Sequence, residues 1–176
     1  MATYDSTIAI TQGILTTLTH ILTKAEQEHP NPSSLLDARL HPDMYPLTDQ
    51  VRCLTQFSEY LCARLSDREA TQLGSKPNTF AECHARIEGV LQTLRGADRD
   101  LVNAQGEAVK PTSRGPLGDV DMSGAVYAHA VVLPNIYFHL ATVYGILRAQ
   151  GVRVGKMDYY QGFVPLQGPA STGNHA

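Results

Sequence analysis

Apolar side chains recur every three to four residues in four stretches of this 176-residue chain, and prolines and glycines punctuate the intervals. No other feature constrains the fold as strongly. Each stretch reads as a helix with one apolar face, and such faces are stable only when they close on one another. The first runs from Thr3 to Glu28, with Ile8, the small Gly13, Leu15, Leu18, Leu22 and Ala25 at helical spacing. Pro30 and Pro32 end it, because proline cannot continue the hydrogen-bond ladder. The second runs from Pro46 to Arg64, with Leu47, Gln50, Leu54, Phe57, Leu61 and Leu65 on one face and Gln50 as its polar exception. The third is capped by Asn78 or Thr79, with Glu82 as the capping-box partner of Thr79. Its stripe is Phe80, His84, Ile87, Leu91 and Leu94, and Gly96 stops it. The fourth opens at Asp121 or Ser123 and closes at Gly151. Val126, Leu133, Ile136, Leu140, Val143 and Leu147 line it, and Pro134 is expected to kink it.

The expected fold is all-α, a four-helix bundle with long crossover connections, because the links after the first and third helices are not short. Ser34–Leu40 is expected to make one helical turn. A short β-hairpin around Gln105-Gly106, within Asp100–Val109, is expected between helices three and four. Residues 1–162 form one domain, since a domain spans roughly 100–200 residues. Residues 163–176 are expected to be an irregular tail.

Composition narrows the function. Lys and Arg number 14 against 17 Asp and Glu, a net charge of −3, so the basic footprint of a nucleic-acid binder is absent. Cys53, Cys62 and Cys83 include no C-x-x-C pair and are odd in number, which suggests free thiols in a reducing compartment. No basic leader precedes an apolar run. The longest apolar run, Ala125–Ile136, is interrupted by His129 and Pro134, short of the ~20 residues of a membrane span. A cytoplasmic protein is expected, without nucleic-acid or membrane partners.

The residues that can carry chemistry are few. His139 lies among Val132, Ile136, Val143 and Ile146, with Asn135, Tyr137 and Tyr144 within three turns, which is more polar than packing requires. His84 sits on the stripe of the third helix, either as a core histidine with one hydrogen bond or as a general base or ligand. Between Pro42 and Pro46 the backbone is stiff, so Asp43 and Tyr45 either orient a substrate or serve as a helix entry. His129 and His139, ten residues apart, stand about 80° and about 15 Å from one another on a helix and cannot share a metal. Neither an H-x-x-x-H nor a Glu-x-x-His pair occurs in the fourth helix. A bound metal would need one histidine per helix, from His139, His84 and a third ligand such as His41 or Asp43. No nucleophile elbow, P-loop or dinucleotide fingerprint is present.

Three segments carry a family resemblance: LLDARLHPDMYPLTDQVRCLTQF (35–57), TFAECHARIEGVLQTL (79–94) and LPNIYFHLATVYGILRAQGVRVGKMDYYQG (133–162). Together they resemble the family of domains of unknown function numbered 1993, in its fungal type. The resemblance implies a DinB-like four-helix bundle and a homodimer. The wider superfamily includes metal-dependent enzymes with three histidines in the bundle. Of that triad only His139 has a counterpart here.

The reading that follows is a small-molecule enzyme working by general acid–base chemistry in a pocket within the bundle. Isomerisation, dehydration or cyclisation fits it, as in a natural-product (secondary metabolism) pathway. His139 is the expected catalytic residue, assisted by His84, Tyr137 and Tyr144, with Asp43, Tyr45, Gln50 and Asn135 binding substrate. No metal or cofactor is expected. The alternatives are a metal-dependent transferase or hydrolase using a divalent transition metal, and a non-catalytic ligand-binding or dimerisation module.

Overall fold

The computed structural model describes residues 1–113 and 115–168. After a short helix α1 (Thr3–Ser6), four long helices form the bundle: α2 (Ile8–Glu28), α3 (Leu47–Leu65), α4 (Phe80–Arg95) and α7 (Leu133–Ala149). The smaller elements are α5 (Arg99–Glu107), the strands β1 (Val109–Ser113) and β2 (Asp119–Ser123), α6 (Gly124–Val126) and α8 (Lys156–Tyr160). Helix α3 packs on α4 and α7, and so does α2, so α2 and α3 stand largely diagonal to each other. Consecutive long helices thus occupy opposite corners twice, from α2 to α3 and from α4 to α7. The long connections exist to make those two crossings.

Each helix forms for a local reason. His29 is extended (φ −81°, ψ 133°) ahead of Pro30, which ends α2. Asn31 to Leu36 carries a single 3₁₀ turn, Pro32–Leu35. Pro46 stands at the N-cap of α3. The Thr79 hydroxyl accepts the Glu82 N–H at 3.1 Å, and the Glu82 carboxylate accepts the Asn78 N–H at 2.7 Å. The buried stripe of α4 is Phe80, Cys83, Ile87, Val90, Leu91 and Leu94. Cys83 therefore takes the core place expected for His84, which lies at the helix edge. A three-residue step from Phe80 follows the helical period as well as a four-residue step, and the apolar thiol is the cheaper group to desolvate.

The expected hairpin lies further along the chain. Residues 99–107 are helical, capped by the Asp98 carboxylate on the Leu101 N–H at 2.8 Å. Gly106 is not a turn residue: a Cβ there would come within 2.4 Å of the Thr3 hydroxyl. The antiparallel hairpin is instead β1–β2, with Val109 opposite Ser123 and Ser113 opposite Asp119. Arg64 Nη2 fastens it to α3 through the carbonyls of Lys110 (3.3 Å) and Met122 (2.9 Å).

Pro134 does not break the last long helix. Ser123 caps α6 through the Val126 N–H, and Tyr127–Val132 winds as a π-helix into α7. The wider turn accommodates a residue that has no N–H to donate. Residues 124–149 are therefore one apolar helix, mean hydropathy 1.5, long enough to cross a membrane; half of its most apolar window is buried in the bundle. The interruption expected at His129 and Pro134 is corrected accordingly. The helix closes after Ala149, where the Gly151 N–H reaches Arg148 O (3.1 Å) and the Val152 N–H reaches Leu147 O (3.0 Å).

The chain after α7 returns to α2. Asp158 accepts the Gly155 N–H (2.7 Å), His20 Nε2 (2.8 Å) and Lys24 Nζ (3.2 Å). Thr17 donates to Tyr159 O and accepts the Gly162 N–H, both at 3.0 Å. Gly13 and Gly162 cross backbone to backbone, and a Cβ on Gly162 would lie 2.0 Å from Gly13 O. The tail expected to be irregular from 163 begins instead with Phe163 packed on the core and a 3₁₀ turn, Val164–Gln167. Residues 169–176 lie outside the described residues.

Candidate functional site

A buried polar pair lies at the seam between α3 and α7. His139, on α7, is 7% exposed. Its Nδ1 lies 2.6 Å from Gln50 Oε1, on α3. Gln50 Nε2 in turn donates to Tyr45 O at 2.9 Å. That second bond fixes which end of the amide faces the imidazole. Gln50 presents an acceptor, so Nδ1 carries the proton and Nε2 is left with its lone pair. Burial, assisted by the Arg52 charge, pushes the imidazole down to about 4. The ring is neutral at pH 7 and has no second proton to give.

Aromatic rings hold it in place. Phe57 stacks on it at 6.0 Å and an interplanar angle of 21°, and Phe138 meets it edge-on at 5.3 Å. Tyr45 and Phe138 are both 56% exposed. Arg52 lies over the Tyr45 ring at 5.8 Å and is held by Asp49 at 2.8 Å. Gln50 was legible as the polar exception on an apolar stripe. Arg52, Phe57 and Phe138 were not singled out for the site, although Phe57 shares a face with Gln50 two turns on.

The other expected site residues go elsewhere. Tyr137 and His139 stand about 200° apart on α7, on opposite sides. Tyr137 stacks on Phe163, and Tyr144 packs against Tyr159. Burial raises the Tyr137 phenol above its ordinary value. Asn135 bends back to its own helix, donating to Val131 O at 2.7 Å in the turn that Pro134 disturbs. His84 pairs with Glu26 of α2 at 3.5 Å. His41 and Asp43 pair with each other on an exposed turn. One pocket joining His139 to His84, Tyr137, Tyr144 and Asp43 is therefore not formed; only Gln50 and the Tyr45 backbone reach the imidazole's relay.

The same placement tests the metal suggested by the fold. His139, His84 and His41 engage three different partners in three different places. Among the described residues no three His, Cys, Asp or Glu side chains converge. These side chains do not fit a bundle metal site. The three cysteines are buried and free, and burial raises their thiols, Cys83 to about 12, which suits packing and not nucleophilic attack.

No curated protein matches the chain. A crystal structure of a DinB family member protein from Shewanella denitrificans is similar to it, with 32% sequence identity and a TM-score of 0.79 over 89% of this chain and 90% of that one. The family model "Domain of unknown function (DUF1993)" matches residues 3–160. On that match, which spans the bundle from α1 to α8, the chain belongs to the DUF1993 family and has a DinB-like fold.

Proposed function

We propose that this protein is a small-molecule enzyme in which His139 acts as a general base through Nε2. The observation that carries the reading is the relay from Tyr45 O through the Gln50 amide to His139 Nδ1, at 2.9 and 2.6 Å. A buried imidazole with one fixed tautomer keeps its lone pair on the other nitrogen. Its low pKa leaves it unprotonated at neutral pH, so it can accept a proton and not donate one, and it also makes the ring a weaker base than an exposed histidine. The general-acid half of the chemistry would then fall to another group or to water. The exposed rings of Tyr45 and Phe138 would meet a substrate skeleton, and Arg52, over the Tyr45 ring, would supply a charge for a carbonyl or carboxylate oxygen. Base-initiated isomerisation, dehydration and cyclisation begin with such a proton abstraction and need no bound metal or cofactor.

The test is metabolite profiling of cells carrying the wild-type gene, no gene, His139→Ala or Gln50→Leu. Under the proposal one product disappears without the gene and with His139→Ala, and falls with Gln50→Leu. A product made equally by His139→Ala would sink the catalytic role. Unchanged metabolites with a small molecule still co-purifying would favour the ligand-binding reading.

A further inference from the structure

A recess lies on the other side of α3 from His139. The chain from residue 66 to residue 79 loops over the junction of α3 and α4 and leaves a groove of about 620 Å³. That volume falls within the roughly 300–1,000 Å³ of small-molecule sites. Its existence follows from sequence: Ala85, Gly89 and Thr93 stand at i, i+4 and i+8 on α4, so one stripe of that helix carries almost no bulk. Leu73 and Val90 add apolar wall.

The charges in the groove do not cancel. Glu59 has a side chain only 3% exposed and is fully engaged by Arg68 at 2.6 and 2.9 Å and by the Thr71 N–H at 2.8 Å. That pair is neutral. Arg86 is different, since every acceptor it has is uncharged. Nε donates to the Thr55 hydroxyl (2.7 Å), and Nη1 to the carbonyls of Leu73 (2.8 Å) and Ser75 (3.1 Å). Its Nη2 is buried without a hydrogen-bond partner and is closed to a ligand, so the groove is presented with the guanidinium's charge and not with a vacant donor. Among the described residues no carboxylate forms an ion pair with it. A half-buried guanidinium without a counter-charge is unfavourable by itself, yet it stands here on an acidic chain with carboxylates in excess.

We propose that this groove binds a small organic monoanion, with its carboxylate beside Arg86 and its carbon skeleton along Leu73, Ala85, Gly89 and Val90. The site is separate from His139 and stands or falls without it. The bland alternative is that Arg86 only ties the loop to α4. The two differ in one respect: a loop tie has no preference among ligands.

The experiment is an amide-resolved NMR titration of the full chain with 4-phenylbutanoate and with its neutral isostere 4-phenylbutanamide. The carboxylate is expected to give saturable shifts at Arg86, Gly89 and Thr93, with the amide at least tenfold weaker. Arg86→Gln is expected to weaken the carboxylate at least tenfold. Because that change also loosens the loop, Gly89→Leu is the second arm. A Cβ at Gly89 meets nothing within 4 Å, so the leucine fills the groove without moving backbone and should abolish the shifts in a folded protein. Equal binding of acid and amide, persistence of the shifts in Gly89→Leu, or no movement of the α4 amides would each overturn the proposal.

Discussion

His139 shows how one hydrogen bond sets the chemistry of a ring. Gln50 cannot rotate to offer its NH₂ without abandoning Tyr45 O, so the imidazole keeps its proton on Nδ1. Nitrogen-resolved NMR is expected to show His139 as the Nδ1–H tautomer at pH 7, titrating near 4. A midpoint near the ordinary 6.5 would contradict the burial argument. The same shift bears on stability. In the unfolded chain the ring gains its proton near 6.5, and in the folded chain near 4. The unfolded state therefore binds more protons in that window, and stability falls as pH drops from about 6.5 to about 4, by a few kcal/mol at most. Replacing His139 by Phe is expected to flatten this slope in urea melts at pH 4.5 and 7; an unchanged slope would point to other groups. Much of this was legible, since Gln50 and His139 each stood out as polar residues on apolar faces. What spacing could not tell was which helix each face would meet. Periodicity fixes direction around one helix axis and says nothing about the neighbour. Hence Tyr137 and Tyr144, close to His139 in sequence, serve a different seam.

At the level of the element, the errors and the successes share a cause. Thr79 was readable as a cap because its function is local, and Thr79→Ala is expected to cost about 1 kcal/mol, measured by thermal or denaturant unfolding. Gly106 misled because its purpose is not local: it looks like a turn and is a point of contact with Thr3, 103 residues before it in the sequence (106 − 3). Pro134 was legible only in part. The helix continues through it as expected, and the π-helical turn ahead of it, which spacing does not announce, widens the winding there. The stripe of α4 shifted by one position because helical spacing alone permits either Cys83 or His84 inside, and the difference in desolvation decides.

For the whole molecule, class and helix number were legible, whereas the order of helices around the bundle was not. The long links permit crossings without specifying them. The return of the C-terminal segment onto α2 was not foreseen either, because it depends on Gly162 meeting Thr17 and Gly13, which lie 145 and 149 residues before it in the sequence (162 − 17 and 162 − 13). Gly162→Ala is expected to destabilise the fold by about 1–3 kcal/mol or more, because its Cβ would strike the Gly13 carbonyl. A loss below about 0.5 kcal/mol in chemical denaturation would mean that the crossing relaxes easily. Asp158 locks the same junction. Burial opposes its charge, but the Gly155 N–H, His20 and Lys24 outweigh that and hold its carboxyl at about 2. This contribution is present above about pH 3.8 and is lost as pH falls toward 2, so Asp158→Asn should lower Tm at pH 7 more than at pH 2.5. The Gly13–Gly162 crossing also has a consequence in time. A ribosome adds about 5–20 residues per second, so roughly 7–30 s pass between making Thr17 and making the Gly162 that it binds. Throughout that interval the first long helix lacks its final cover, and the nascent chain must keep an apolar flank from finding the wrong neighbour.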